Sequence, residues 1–305
     1  MQRRVVVGDW NPYAVVLTRA KLFPPRSVDA ARRRLRDTWT AARDLVQKQD
    51  LRSVPSWVRG FFHPETLRST LAFRDACIER GDAFLFACLL GILHHQRPGF
   101  LSYPSSHLVP YLREGKFPPE MYPELYEPRD VLPRLEAKIL RTFRRQAPLY
   151  RETRRIVIGD ARKFPRVRGI RAVITSPPYM NELDYVRDNR LRLWFIDKSL
   201  PTGLTVNGAS PAQAFRLLLQ SVCERLSANI LPGGYFILVL GDVTRGVRRR
   251  VCTADLTHEM FSTTPRLRNF KLTARYEDII PDIRRSRREC RGTKRETVLV
   301  YCNTR

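Results

Sequence analysis

The stretch Ala172-Val173-Ile174-Thr175-Ser176-Pro177-Pro178-Tyr179 decides how this chain is read. Its first half is small, apolar and β-branched, the composition of a strand set into a sheet. The second half stops that strand at once. Two consecutive prolines lock φ and remove two N–H donors, so the loop offers carbonyls without competing donors. Ser176 adds a hydroxyl acceptor and Tyr179 a flat aromatic face. Open α/β sheets gather ligands in the loops at the carboxyl ends of their strands, and this loop has that position. A planar base with an exocyclic amine suits it: two acceptors hold the N–H bonds, the ring stacks, and the nitrogen lone pair points out of plane. The same residues would also make an ordinary surface turn.

Outward from this loop, strand-like and helix-like segments alternate. Arg155-Ile156-Val157-Ile158 runs into Gly159-Asp160-Ala161-Arg162, and Val5-Val6-Val7 runs into Gly8-Asp9-Trp10-Asn11-Pro12. The latter enters a helix over Tyr13–Lys21, with Asn11 as N-cap, Pro12 in the first turn, and Pro24-Pro25 as the stop. Downstream, Asn181–Ile196 and Pro211–Asn229 read as helices. Pro232-Gly233-Gly234 is a turn before the strand Tyr235–Leu240, and Glu296–Tyr301 is a last strand. This alternation predicts an α/β fold with a parallel or mostly parallel sheet, helix-covered on both faces.

Residues 27–150 break the alternation and read as a large helical insertion. Ala31, Leu35, Trp39, Ala42 and Val46 recur at spacings of three or four. Residues 66–77 and 82–94 predict two further helices, the second apolar all round, and 133–146 a last one. His94-His95 reads as a polar helix end. The proline-rich stretch 98–133 reads as an irregular excursion whose Tyr103, Tyr111, Tyr122 and Tyr126 are either exposed or packed locally.

Composition narrows the class. The chain has 305 residues, 43% of them apolar, which is enough for a buried core and excludes a disordered polycation. The longest apolar run, 83–93, has 11 residues, too few for a membrane helix, and the amino terminus does not read as a signal peptide. Six cysteines are scattered with no C-x-x-C pair, so no metal site is expected and a reducing cytoplasmic setting is. The net charge is +25, and 47 of the 55 basic residues are arginine. A GC-rich coding sequence would give such a bias, yet the field it creates attracts polyanions, and nucleic acid is the expected partner. Arg245, Arg248, Arg249 and Arg250 in one basic stretch, and Arg284 and Arg285 in another, are candidate phosphate contacts. Each stretch would equally serve as a solvated face. Nucleophile elbow, P-loop and His-Glu-x-x-His motifs are absent from the sequence.

On these residues the chain resembles the S-adenosylmethionine-dependent amino-methyltransferases of DNA bases. Their hallmark is an Asp/Asn/Ser-Pro-Pro-Tyr/Phe loop after the fourth strand, matched by Ser176-Pro177-Pro178-Tyr179. Serine in first place resembles the cytosine-N4 branch more than the adenine-N6 branch. Gly159-Asp160-Ala161-Arg162 resembles the third-strand motif, whose acid contacts the cofactor's adenine. Gly8-Asp9-Trp10-Asn11-Pro12 resembles the second-strand motif, whose acid binds the ribose and whose next residue packs on the adenine. Leu231-Pro232-Gly233-Gly234-Tyr235-Phe236 resembles the turn before the next strand, and Asn181–Trp194 the helix after the catalytic loop. The resemblance is strong over residues 5–21 and 155–241.

It implies a Rossmann-like methyltransferase sheet in three parts: residues 1–26 as the second strand–helix unit, 27–150 as a helical insertion that is, partly by elimination, the candidate for target recognition, and 151–305 as the remaining core with a basic end. It implies S-adenosyl-L-methionine as cofactor, DNA as partner, a flipped-out base, and a place in DNA methylation or restriction–modification. Ser176, Pro177, Pro178 and Tyr179 would be catalytic, and Asp9, Trp10, Asp160 and Ala161 would bind cofactor. The family's glycine-rich first motif is expected upstream of Asp9, where the sequence has eight residues and no such loop. The expectation is therefore a sheet missing its first strand. The chain would be a fragment, a half completed by a second chain, or an inactive remnant that only binds nucleic acid. Adenine or RNA remains an alternative substrate.

Overall fold

The computed structural model describes residues 4–95, 100–105, 111–144, 154–177, 185–197, 211–245, 249–280 and 295–305. In chain order the elements are β1 (Val5–Asp9), α1 (Pro12–Leu22), α2 (Val28–Val46), the short α3 (Ser56–Arg59), α4 (Pro64–Glu79), α5 (Ala83–Leu90) and α6 (Val131–Phe143). Then come β2 (Arg154–Ile158), β3 (Ile170–Thr175), α7 (Tyr185–Asp188), α8 (Arg190–Asp197), α9 (Pro211–Ser227) and β4 (Ile230–Gly241). The last are β5 (Val243–Arg245), β6 (Arg249–Val251), α10 (Thr253–Thr263), β7 (Phe270–Ile279) and β8 (Arg295–Asn303). The chain forms two compact units: Met1–Ile158 with Tyr185–Thr202, and Gly159–Asp184 with Gly203–Arg305.

The first unit is helical around the small parallel pair β1–β2. The periodic residues of α2 do what their spacing predicts: Ala31, Leu35 and Ala42 are buried, while Trp39 and Val46 pack partly against them. The helices begin on explicit caps. Asn11 accepts the N–H of Tyr13, Ser27 that of Ala30, and Asp82 that of Leu85. Those bonds satisfy amides that the first turn leaves without a partner. Phe62, Phe73 and Phe195 are fully buried, and Trp39–Phe73 and Phe62–Phe195 meet ring to ring.

Buried and half-buried arginines hold the ends of this unit's elements. The Arg74 guanidinium donates to the carbonyls of Phe195 (2.5 Å) and Ile196 (3.5 Å) in the last turn of α8, and pairs with Asp75. Arg129 donates to the carbonyls of Phe100, Ser102 and Leu125. Arg192 donates to the carbonyl of Leu90 at the end of α5 and lies over the Tyr13 ring. Each supplies donors to carbonyls that helix ends and loops leave over.

The second unit is built on a four-stranded sheet in the order β3–β4–β8–β7. β3 runs parallel to β4, while β8 is antiparallel to both β4 and β7. The sheet is therefore mixed, where the alternation of elements predicts a mostly parallel one. One face packs on α9 and α10 through Phe236, Leu238, Leu240, Leu299 and Tyr301. Phe261 stacks on Tyr301 at 4.0 Å, and the Tyr301 hydroxyl meets His258 Nδ1 at 3.1 Å. Burial raises the Tyr301 phenol and the Cys223 thiol well above their ordinary values. On the opposite face, where helices are expected as well, Ile174 is 70% and Tyr276 63% exposed.

Smaller expectations also change. α5 ends at Leu90 and His94 is buried beyond it, so the histidine pair is not a polar helix end. Strand β7 and the hairpin β5–β6 have no counterpart in the sequence reading. The excursion's tyrosines pack locally except Tyr111: Tyr103 lies 4.9 Å from Tyr126, Tyr122 meets Phe117, and the Tyr126 hydroxyl donates to the Phe117 carbonyl. No helix among the described residues is long and apolar enough to cross a membrane.

Candidate active site

Three strands end in the same dipeptide: Gly8-Asp9 closes β1, Gly159-Asp160 follows β2, and Gly241-Asp242 follows β4's apolar run. In the first unit, Asp9 is exposed, and one of its carboxylate oxygens accepts the Asn11 N–H at 2.8 Å. This fixes the turn into α1 and leaves the other oxygen open to a ligand. Trp10 beside it is 52% exposed, a large apolar surface with little packed against it.

In the second unit, Gly159 has φ +133°, open to glycine and strained for other residues, and this bends the chain out of the β2 direction. Asp160 then caps the 3-10 turn Ala161–Lys163 by accepting the Arg162 N–H at 2.8 Å. The Arg162 guanidinium also grips both carboxylate oxygens, at 2.5 to 3.0 Å. That bond is the main reason the Asp160 carboxyl sits below its ordinary value. Ala161 is exposed on the turn.

β3 delivers Ser176 to the carboxyl end of the sheet, where Ser176 is exposed and Pro177 buried. The register explains the position: Thr175 pairs with Leu238, deep in β4. The buried proline anchors the loop while its serine stays accessible. Pro178 and Tyr179, which complete the predicted loop, lie outside the described residues, as do Arg248, Arg284 and Arg285. Arg245, Arg249 and Arg250 belong to the hairpin β5–β6, in which Arg245 is the register partner of Arg249 and Thr244 of Arg250.

Asp242 is a site candidate that sequence reasoning passed over. It is buried, and its backbone N–H donates to the Arg295 carbonyl, tying the end of β4 to the start of β8. The repeated Gly-Asp strand ending was the available signal. By strand direction Asp242 lies at the same end of the sheet as Ser176. The structure thus brings Asp160, Ala161, Ser176 and Pro177 into one unit and leaves Asp9 and Trp10 in the other.

Other chemistry is sparse. The cleft of about 430 Å³ lined by Arg19, Phe23, Arg34 and Phe84 belongs to the first unit and contains none of the expected site residues. Among the described residues no three of His, Cys, Asp and Glu gather as metal ligands do. Burial holds the Cys88 thiol protonated, its pKa pushed up to about 12, and raises that of Cys77 as well, so neither serves as a nucleophile.

No protein-family model matches the chain, and no curated protein does either. Two crystal structures of TTHA0409, a "putative DNA modification methylase" of Thermus thermophilus, align with it: the selenomethionine derivative at 21% identity and the native form at 20%. Each alignment covers 48% of this chain and only about half of that one (50% and 52%), with a TM-score of 0.26. A superposition that loose transfers no residue role.

Proposed function

We propose that this chain is an S-adenosylmethionine-dependent amino-methyltransferase acting on a DNA base, with cytosine N4 as the acceptor. The observation that carries this reading is the Ser176-Pro177-Pro178-Tyr179 loop set directly after a strand that runs parallel to its neighbour, with Ser176 accessible and Pro177 anchored. The base and the cofactor follow from the family resemblance, and residues 27–150 are the candidate for target recognition partly by elimination.

The residues differ in how they suit the cofactor. Asp9 has a free carboxylate oxygen for a pair of ribose hydroxyls, and Trp10 an open ring for an adenine. Asp160 accepts a further donor once the half-exposed Arg162 side chain turns away. The cofactor supplies a methyl group on a sulfonium. The chain's own residues orient the acceptor: the Ser176 hydroxyl and the Pro177 carbonyl take the two N–H bonds of the exocyclic amine, and Tyr179 stacks on the base. Alignment of this kind lowers the barrier without a covalent intermediate. A duplex substrate flips its base out to reach the loop. Phosphates then fall to the arginines of β5–β6 and of residues 284–285.

Methyl transfer to a cytosine-containing duplex tests the reading. Tyr179→Ala is expected to lower the rate at least about a hundredfold with folding intact, a loss typical of removing a positioning contact. Equal rates for wild type and the Ser176→Ala/Tyr179→Ala variant overturn it. The bidentate Arg162 grip on Asp160 favours a second reading, a nucleic-acid-binding protein without methyl transfer. Calorimetry separates the two: heat on adding S-adenosylmethionine supports the enzyme, and its absence with salt-sensitive DNA binding retained supports the binder.

A further inference from the structure

The second unit carries one group of exposed basic side chains at the end of the sheet opposite Ser176, apart from the basic stretches that follow β4 and precede β8. β3 and β4 start at that end, β7 starts there and β8 finishes there: Ile170 pairs with Ile230, and Phe270 with Asn303. Arg166, Arg168 and Arg171 are exposed where the chain enters β3, and Arg266, Arg268 and Lys271 where it enters β7. None of the six forms an ion pair with a described residue. The stretches 161–175 and 264–276 contain no acid at all. The unit's acids lie elsewhere: Asp160 is held by Arg162, Glu224 accepts from Gln220 on α9, and Asp255 and Glu277 form a paired network with Arg275 and Arg295.

The rim is also held in shape. On α9, Arg225 donates through Nε to the Phe164 carbonyl at 2.5 Å, fixing the first basic loop. Asn303 Nδ2 donates to the carbonyls of Ile230 (2.9 Å) and Leu231 (3.2 Å), joining the end of β8 to the start of β4. Thr304 donates from both N–H and hydroxyl to the Asn269 carbonyl, tying the exposed Arg305 to the second basic loop. Gly234 permits the tight β4 entry, since a Cβ there would lie 2.7 Å from the Ile230 side chain and 2.9 Å from the Leu231 carbonyl. From β3 to β7 the sheet crosses three strand spacings, about 14 Å. That is close to the ~12 Å width of a B-DNA major groove, so the two arginine groups match the two backbones beside one groove.

We propose that this rim is a second, sequence-independent docking surface for the phosphate backbone of duplex DNA. It goes beyond the methyl-transfer reading and does not depend on it. A duplex seated here is held at the opposite end of the strands from the catalytic loop, so it is a different segment from the one that presents a base to Ser176. Guanidinium forks suit phosphate oxygens, and rigid loops lose little entropy on binding.

The test uses the full chain and its Arg166→Gln/Arg168→Gln/Arg266→Gln/Arg268→Gln variant. Binding to a ~30-bp duplex is followed by fluorescence anisotropy between about 50 and 200 mM salt. The variant is expected to bind at least about tenfold more weakly at the low-salt end, with the salt slope shallower by up to about 3.6, at ~0.9 per lost phosphate contact. Unchanged affinity and slope overturn the proposal. So does unchanged DNA binding combined with lost binding to anionic phospholipid vesicles, which would assign the rim to membranes. Binding alone is read, so a chain that transfers no methyl group still answers the question.

Discussion

Arginine has opposite tasks in the two units. In the first, Arg74, Arg129 and Arg192 are drawn inward and spend their donors on backbone carbonyls. In the second, Arg166, Arg168, Arg266 and Arg268 stand in solvent without a described ion-pair partner. The difference comes from what each architecture leaves unsatisfied. A bundle of short helices has many carbonyl ends, and a long side chain with a forked donor reaches them from a neighbouring helix. A sheet pairs its backbone internally, so apart from Arg225, which holds the Phe164 carbonyl, the rim arginines named here meet no such demand and remain available to a ligand. Net charge therefore overstates what faces solvent: part of the +25 is structural.

The comparison breaks most readily at Arg74. Arg74→Met leaves two α8 carbonyls and Asp75 without their cation and should destabilise the first unit by about 3 kcal/mol, seen as a lower denaturant midpoint. An unchanged midpoint would mean that the inward arginines are passengers. Next comes the cap of α2: Ser27→Ala removes the acceptor for the Ala30 N–H and should cost about 1 kcal/mol by chemical denaturation. At the rim, Arg266→Gln/Arg268→Gln should alter stability by no more than about 0.5 kcal/mol. A larger loss would place those side chains in the structural class after all.

The smallest effect concerns Asp160, where an arginine is exposed and paired at once. The Arg162 hydrogen bond holds the folded carboxyl below its ordinary value of 3.8. A depressed folded value stabilises above the unfolded pKa, and that contribution disappears as pH falls through the folded one. The pair's contribution, well under 1 kcal/mol given its solvent exposure, is thus fully present at neutral pH and is lost below about pH 4. In Arg162→Gln, the Asp160 carboxyl should titrate closer to its ordinary value, as read by NMR of its carboxyl carbon.

Elements with strong local patterns were legible. The three-four spacing of α2 and the apolar runs of β3 and β4 each predicted the right structure, as did Asn11-Pro12 at the start of α1. β7 was not legible: Phe270-Lys271-Leu272-Thr273-Ala274-Arg275 is an edge strand exposed along most of its length, so it carries little of the burial pattern that marks a strand. In the candidate site, the Ser-Pro-Pro-Tyr loop and the acids at positions 9 and 160 stood out because strand endings punctuate the sequence. Asp242 did not, although it shares their Gly-Asp signature, because its burial arises from β8 pairing alongside β4.

The sequence by itself determined an α/β chain with a run of helices between its first two strands, the strand that leads into Ser176, and the excess of arginine. Each of these is written in neighbouring residues, through periodicity, proline placement and composition. Only the tertiary structure decided that β8 lies antiparallel between β4 and β7, that Ile174 and Tyr276 on the sheet's second face are exposed, and which arginines turn inward. Those outcomes depend on pairing between residues far apart in the chain. An isolated strand does not encode its partner's direction, and an isolated arginine does not encode the carbonyl it will meet.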